Sequence, residues 1–155
     1  MSPLLDMFVP GVVRPQGSMR AVQHHGRVRT FHVNHDDLMA WRGAVTAQAA
    51  DLWGDEPPLD EAVVLSADFW LARPPSVPKR RTRPDRGPDL DKLVRAVGDA
   101  LTGIVFTNDA RIVAVYAAKH YADEHLIGAR VICGSTTILG PSGSAWTLAP
   151  LGTHL

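Results

Sequence analysis

Pro88-Asp89-Leu90-Asp91-Lys92-Leu93-Val94-Arg95-Ala96-Val97-Gly98-Asp99-Ala100-Leu101 reads as a helix with an acidic start. Leu90, Leu93, Val94, Val97 and Leu101 recur at intervals of three and four, which lays one apolar stripe along a helix from Asp89 to Leu101. Gly103 follows where such a helix would stop. Asp91 and Arg95 stand one turn apart on a flank of the stripe, where both can look into a cleft beside the core. Eighteen residues after Asp91, the turn signal Thr107-Asn108-Asp109 brings a third carboxylate. Clustered carboxylates repel and destabilise a fold unless something holds them. A hard divalent cation is the usual remedy, and Mg²⁺ on a few Asp oxygens is the usual partner of phosphate chemistry.

Each aspartate also has an innocent explanation. Asp89 follows Gly87-Pro88 and opens a helix, so it can be an N-cap. Asp91 can pair with Arg95 across one turn, for a few tenths of a kcal/mol. Asp109 can be a turn residue. Taken together, a D-x-D at a helix start and an Asp leading into the next strand can converge on one ion. The helix start adds backbone N–H groups that attract phosphate oxygens.

Upstream lies Ala72 to Gly87, an irregular stretch with four prolines and five arginines. A connection of that length in a compact domain points to function or disorder. Eight of the sixteen Lys and Arg fall between Arg73 and Arg95, opposed there by Asp85, Asp89 and Asp91 alone. So a formal net charge of zero conceals one basic face, suited to a polyanion. Lys79, Arg80, Arg81, Arg83 and Arg86, with Lys92, are the candidate phosphate contacts, and Arg14 and Arg20 extend the track. Such contacts confer affinity rather than sequence readout.

The remaining elements frame this centre. Glu61 to Leu71 is a strong strand, on which Phe69 and Trp70 alternate. Leu38, Trp41, Val45, Ala49 and Leu52 stripe a helix that Asn34 would cap and Gly54 end. Residues 7–13 read as a strand interrupted at Pro10-Gly11, 14–20 as a loop, and 27–33 as a short strand. Ile112 to Ala118 and Leu126 to Cys133 read as a strand pair joined across His120 to His125. The last twenty residues, 136–155, contain no Lys, Arg, Asp or Glu and form an expected tail on a domain of residues 1–135. This pattern of strands and two helices predicts a single small α+β domain.

No apolar run approaches the ~20 residues that span a bilayer, which argues against a membrane protein. The N-terminus lacks a secretory pattern, so the expected location is cytoplasmic. The single cysteine, Cys133, reads as a core thiol and leaves no internal disulfide. His32-x-x-His35 lacks an evident third zinc ligand.

The run from Pro88 through Gly103, continued by Val105-Phe106-Thr107-Asn108-Asp109 to Ile112-Val113, resembles the signature of the RusA family of Holliday-junction resolvases. That signature is D-x-D-N-x-x-K, a helix end with Gly, and a paired Asp before a strand. The resemblance implies a mixed β-sheet with two main helices packed on it. It also implies a homodimer that resolves four-way DNA by paired symmetric nicks, with Mg²⁺ or Mn²⁺ as cofactor. It places Asp89, Asp91 and Asp109 on the metal-binding catalytic carboxylates, and Arg95 where the family has an essential lysine. Lys92 stands in place of Asn, Asn108 in place of the first Asp of the pair, and Arg111 in place of Gln. A junction-binding protein without catalysis is the alternative. A phosphatase-type D-x-D nucleophile would need its acids at a strand end, whereas these open a helix.

Overall fold

The computed structural model describes residues 3–17, 19–32 and 35–136; of residues 19–24 and 28–32 it describes the backbone. The strands are β1 (Leu4–Pro10), β2 (Met19–His24), β3 (Arg27–His32), β4 (Val63–Leu71), β5 (Ile112–Tyr121) and β6 (Gly128–Ser135), and the helices are α1 (His35–Trp53) and α2 (Leu90–Leu101). Four strands form a mixed sheet in the order β1-β6-β4-β5, and β2 and β3 make a separate hairpin. The fold is therefore the expected α+β domain, with a mixed sheet and two principal helices.

β4 takes the interior of the sheet because Val63 to Ala67 are apolar or small and buried on both faces. It pairs antiparallel with β6 and parallel with β5. A parallel neighbour needs a long crossover, and the chain from Ala72 to Arg111 supplies it, with α2 inside. The expected pairing of the two C-terminal strands therefore does not form, since β4 lies between β5 and β6. Local alternation makes the two look like a hairpin, but the more apolar β4 displaces that contact.

One face of the sheet carries the core. Leu5, Met7 and Val9 from β1, Val63, Leu65, Ala67 and Phe69 from β4, and Ala129, Val131 and Cys133 from β6 pack with both helices. From α2 come Leu93, Ala96, Val97, Ala100 and Leu101, all buried. Burial pushes the Cys133 thiol up to about 12, as suits an inert core residue. On α1, Leu52 is 56% exposed and Trp53 closes the stripe instead, because Val45, Ala49 and Trp53 repeat at intervals of four. Thr46 Oγ1 donates to the Ala100 carbonyl at 2.8 Å and so ties the helices together.

Two N-terminal readings need correction. β1 ends at Pro10, because Gly11 turns away with φ 128° and donates its N–H to Ile127 O. The expected loop through Arg20 is in part strand: β2 and β3 meet across His25-Gly26, both at positive φ as a two-residue hairpin turn requires. At Gly128 a Cβ would lie 2.3 Å from Val9 O, so the β1–β6 approach needs glycine. The Asn34 cap and the tail beyond Thr136 lie outside the described residues.

Candidate active site

α2 starts where the basic crossover meets the end of β5. Lys119 on β5 donates from Nζ to the carbonyls of Arg86 (3.0 Å) and Pro88 (2.9 Å), the turn that launches the helix. On the other side, the N–H of Gln16 donates to Lys92 O at 2.9 Å, docking the segment after β1 on the first turn of α2. The helix start is thus held from two directions, and Asp89 and Asp91 project from a fixed base. Further along α2, Gly98 faces the Ile112 side chain at the start of β5, so the helix runs back along that strand.

Asp89 is the N-cap of α2 by backbone conformation, yet its side chain makes no capping hydrogen bond. It pairs instead with Lys92 Nζ at 3.0 Å, and both groups are solvent-accessible. Among the described residues Asp91 and Arg95 form no ion pair, with each other or with any other residue; both are exposed. Asp109 begins a short 3-10 turn (Asp109–Arg111), but the turn is closed by Asn108, whose side chain accepts from Ala110 N at 2.8 Å. Asp109 itself is exposed and has no side-chain partner among the described residues.

Four other acids are engaged, whereas Asp99 on α2 and Glu61 form no ion pair among the described residues. Asp60 accepts from Thr107 Oγ1 (2.8 Å) and Arg111 Nη2 (2.5 Å), and these bonds, the threonine first, hold its carboxyl below the usual 3.8. Asp123 is gripped by Arg73 through two bonds, at 2.7 and 3.0 Å, and is likewise held low. Asp6 pairs with Arg130, and Asp68 with His120. Neither Asp91 nor Asp109 does any such structural work.

The three aspartates do not form a closed cage. Among the described residues no three His, Cys, Asp or Glu side chains are grouped so as to hold a metal ion. Asp89 and Asp91 share the first turn of α2, whereas Asp109 precedes Ile112, which packs against Gly98. From Asp91 to Gly98 a helix rises roughly 10 Å. The donor chemistry nevertheless suits a hard cation. Mg²⁺ keeps several waters and is commonly held by one or two carboxylates together with substrate phosphates. The helix start offers the complementary half, N–H groups that no side chain caps.

The basic crossover is anchored, not loose. Besides gripping Asp123, Arg73 donates to the carbonyls of Pro78 (3.0 Å) and Arg81 (2.8 Å) and lies 4.1 Å from the centre of the Tyr121 ring. Arg83 Nη1 meets His120 Nδ1 at 3.2 Å, while His120 Nε2 lies 2.7 Å from Asp68 Oδ1. A guanidinium only donates, so Nδ1 accepts and Nε2 carries the hydrogen toward Asp68. Arg81 pairs with Asp85, and Arg14 with Asp37 at 3.6 Å. That leaves Lys79, Arg80 and Arg86 exposed, without an ion pair among the described residues. Arg20 lies on β2, and its side chain is outside the described part. Trp70, from the face opposite the core, stacks between His120 and His125, with centroids 5.1 and 4.1 Å away, while Phe69 is buried.

Sequence reasoning missed Lys119, Arg73 and His120. Lys119 falls just past the expected end of a strand and His120 in the expected connection after it, and Arg73 reads as one loop cation among many. Their roles appear only when β5 is laid beside β4, which no spacing along the chain reveals.

A small α+β domain with unengaged carboxylates and an arginine beside a basic crossover has the make-up of a phosphodiester-cutting enzyme. A family profile described as Endodeoxyribonuclease RusA matches residues 10–131 of the 155. The chain belongs to the RusA endodeoxyribonuclease family, and is thus a nuclease of the hydrolase class whose family acts on branched DNA. No curated protein matches the chain. Among the described residues no helix is long and apolar enough to cross a membrane.

Proposed function

We propose that this protein is a Mg²⁺-dependent endodeoxyribonuclease that resolves Holliday junctions by paired nicks in opposed strands, as a homodimer, in recombination and repair. The observation that carries the reading is the family match over residues 10–131, which takes in Asp89, Asp91, Arg95 and Asp109; of these, Asp91, Arg95 and Asp109 are exposed and form no ion pair among the described residues. Exposed charges without structural partners beside a basic crossover are available to phosphate chemistry.

In this reading Asp89 and Asp91 would hold the metal at the start of α2, with Asp109 joining them only when its turn shifts toward that end, and the metal would supply an acidified water and neutralise charge on the phosphate. Mn²⁺ has the same preference for oxygen donors. Lys92, which pairs with Asp89, would be free to contact a phosphate oxygen if a cation took its place on that carboxylate. Arg95, one turn along α2, donates to the phosphate as negative charge develops. The first-turn amides of α2 take a further oxygen. Lys79, Arg80, Arg81, Arg83 and Arg86, with Arg14 and Arg20, contact flanking phosphates.

A four-way junction has approximate two-fold symmetry, which a two-fold dimer matches with two sites. Val113 and Val115, 62% and 47% exposed on the edge strand β5, offer an apolar surface that a second copy can cover. The test is strand-mapped cleavage of a fixed synthetic junction. Nicks at equivalent positions in two opposed strands are expected. Tight binding with no cut in Mg²⁺ or Mn²⁺ would instead establish a non-catalytic junction binder.

A further inference from the structure

A cleft of about 360 Å³ lies against the turn that precedes Asp89. Its walls are apolar, with Val12 and Val13 from the segment after β1, Leu71 from the end of β4, and Pro84 and Pro88 from the crossover; Tyr121 also lines it. The charged residues that line it are Arg14 and Arg86, both cationic. Arg14 is partly neutralised by Asp37 at 3.6 Å, but Arg86 is exposed and has no ion pair among the described residues. The walls are rigid by the standards of a crossover. Val13 and Pro84 are buried, Tyr121 is braced by the Arg73 guanidinium, and Lys119 holds the carbonyls of Arg86 and Pro88.

A volume at the lower end of the range for small-molecule sites, apolar walls and, in Arg86, a cation without an opposing acid among the described residues describe a receptor for a flat, weakly polar group attached to an anion. A nucleobase on its sugar-phosphate is such a group. Pro88 is both a wall of the cleft and the residue before Asp89. A phosphate at the start of α2 would therefore leave the neighbouring base beside the opening. We propose that the cleft receives one unstacked nucleobase next to the scissile phosphate, with Arg86 and Arg14 on the adjoining phosphate. This rests on the nuclease reading above and adds to it the feature of the substrate that is recognised. Unstacking is least costly where pairing is already interrupted, so such a cleft favours a branch point over continuous duplex.

The experiment places an abasic site, one position at a time, around the branch of a synthetic four-way junction and measures affinity in EDTA, where no cutting occurs. For wild type, removal of one particular base should weaken binding about tenfold, in keeping with base-burial effects at other single-strand sites. Val12→Trp, made at a side chain 58% exposed, fills the cleft mouth. It should lose a similar factor on the intact junction and nothing further on the abasic one. Val77→Trp, from the crossover wall, repeats the test should the first variant fail to fold. The proposal is overturned if no single abasic position costs wild type more than twofold, or if the two losses multiply. A wild type that nicks junctions yet shows either pattern removes the cleft alone. A wild type that neither binds nor nicks branched DNA removes the reading beneath it.

Discussion

Replacing Asp91 by Asn keeps the shape of the side chain and removes one charge. Asp91 is exposed on the first turn of α2 and has no partner among the described residues, so folding has little to lose. Surface changes of this kind stay within about 0.5 kcal/mol, or about 2 °C in Tm for a chain of this size. The catalytic cost is different. A carboxylate about 4 Å from a divalent ion, at an effective dielectric of about 20, attracts it by about 8 kcal/mol. If only a third of that survives the cost of desolvation, the loss is about 3 kcal/mol, more than a hundredfold in rate. DNA affinity should hold or rise slightly, because an anion has left a phosphate-facing surface. Single-turnover cleavage of a fixed junction, anisotropy binding in EDTA and a melting curve read all three quantities. Asp91→Asn protein that cleaves within threefold of wild type refutes the assignment, and so does a loss of Tm well beyond 2 °C.

Three further outcomes follow from the same geometry. Arg95→Ala should slow cleavage about a hundredfold at unchanged Tm, while Arg95→Lys, which retains the cation without the planar fork, should stay within about tenfold of wild type; single-turnover rates decide it. Lys119→Met removes two hydrogen bonds to the turn before α2, costing about 2 kcal/mol, or about 4–8 °C in Tm. It should also weaken Mn²⁺ binding measured by electron paramagnetic resonance, with Lys119→Arg recovering part of both. Replacing Lys79, Arg80 and Arg86 together by Ala should flatten the slope of log affinity against log salt by about 2.7, since each phosphate contact contributes about 0.9.

The elements that carry the candidate site were legible along the chain because they are local. The α2 stripe, its acidic start and the Asn108-Asp109 turn are set by neighbours within a few residues, and they fold as read. The sheet was less legible. β5 and β6 alternate as a hairpin would, but β4, separated from both in sequence, is apolar enough to lie between them. Strand order depends on which strand buries most, and no local spacing carries that. The same limit hid Lys119, whose partners lie 31 and 33 residues away. It also hid the anchoring of the crossover, since Arg73 finds Asp123 50 residues on. Leu52 failed for a smaller reason: at the end of α1 a step of three and a step of four compete, and the larger Trp53 takes the core.

In the proposed account Asp109 serves the reaction and Asp60 serves the fold. Asp109→Asn compared with Asp60→Asn tests this directly, because the two acids flank the same turn. Asp60 is bonded to Thr107 and Arg111, while Asp109 has no side-chain partner among the described residues. Measured on a four-way junction in Mg²⁺, Asp109→Asn should lose cleavage by at least a hundredfold at unchanged Tm, and Asp60→Asn should lower Tm while its folded fraction cuts like wild type. Full activity in Asp109→Asn, or lost activity in a fully folded Asp60→Asn, would contradict the account.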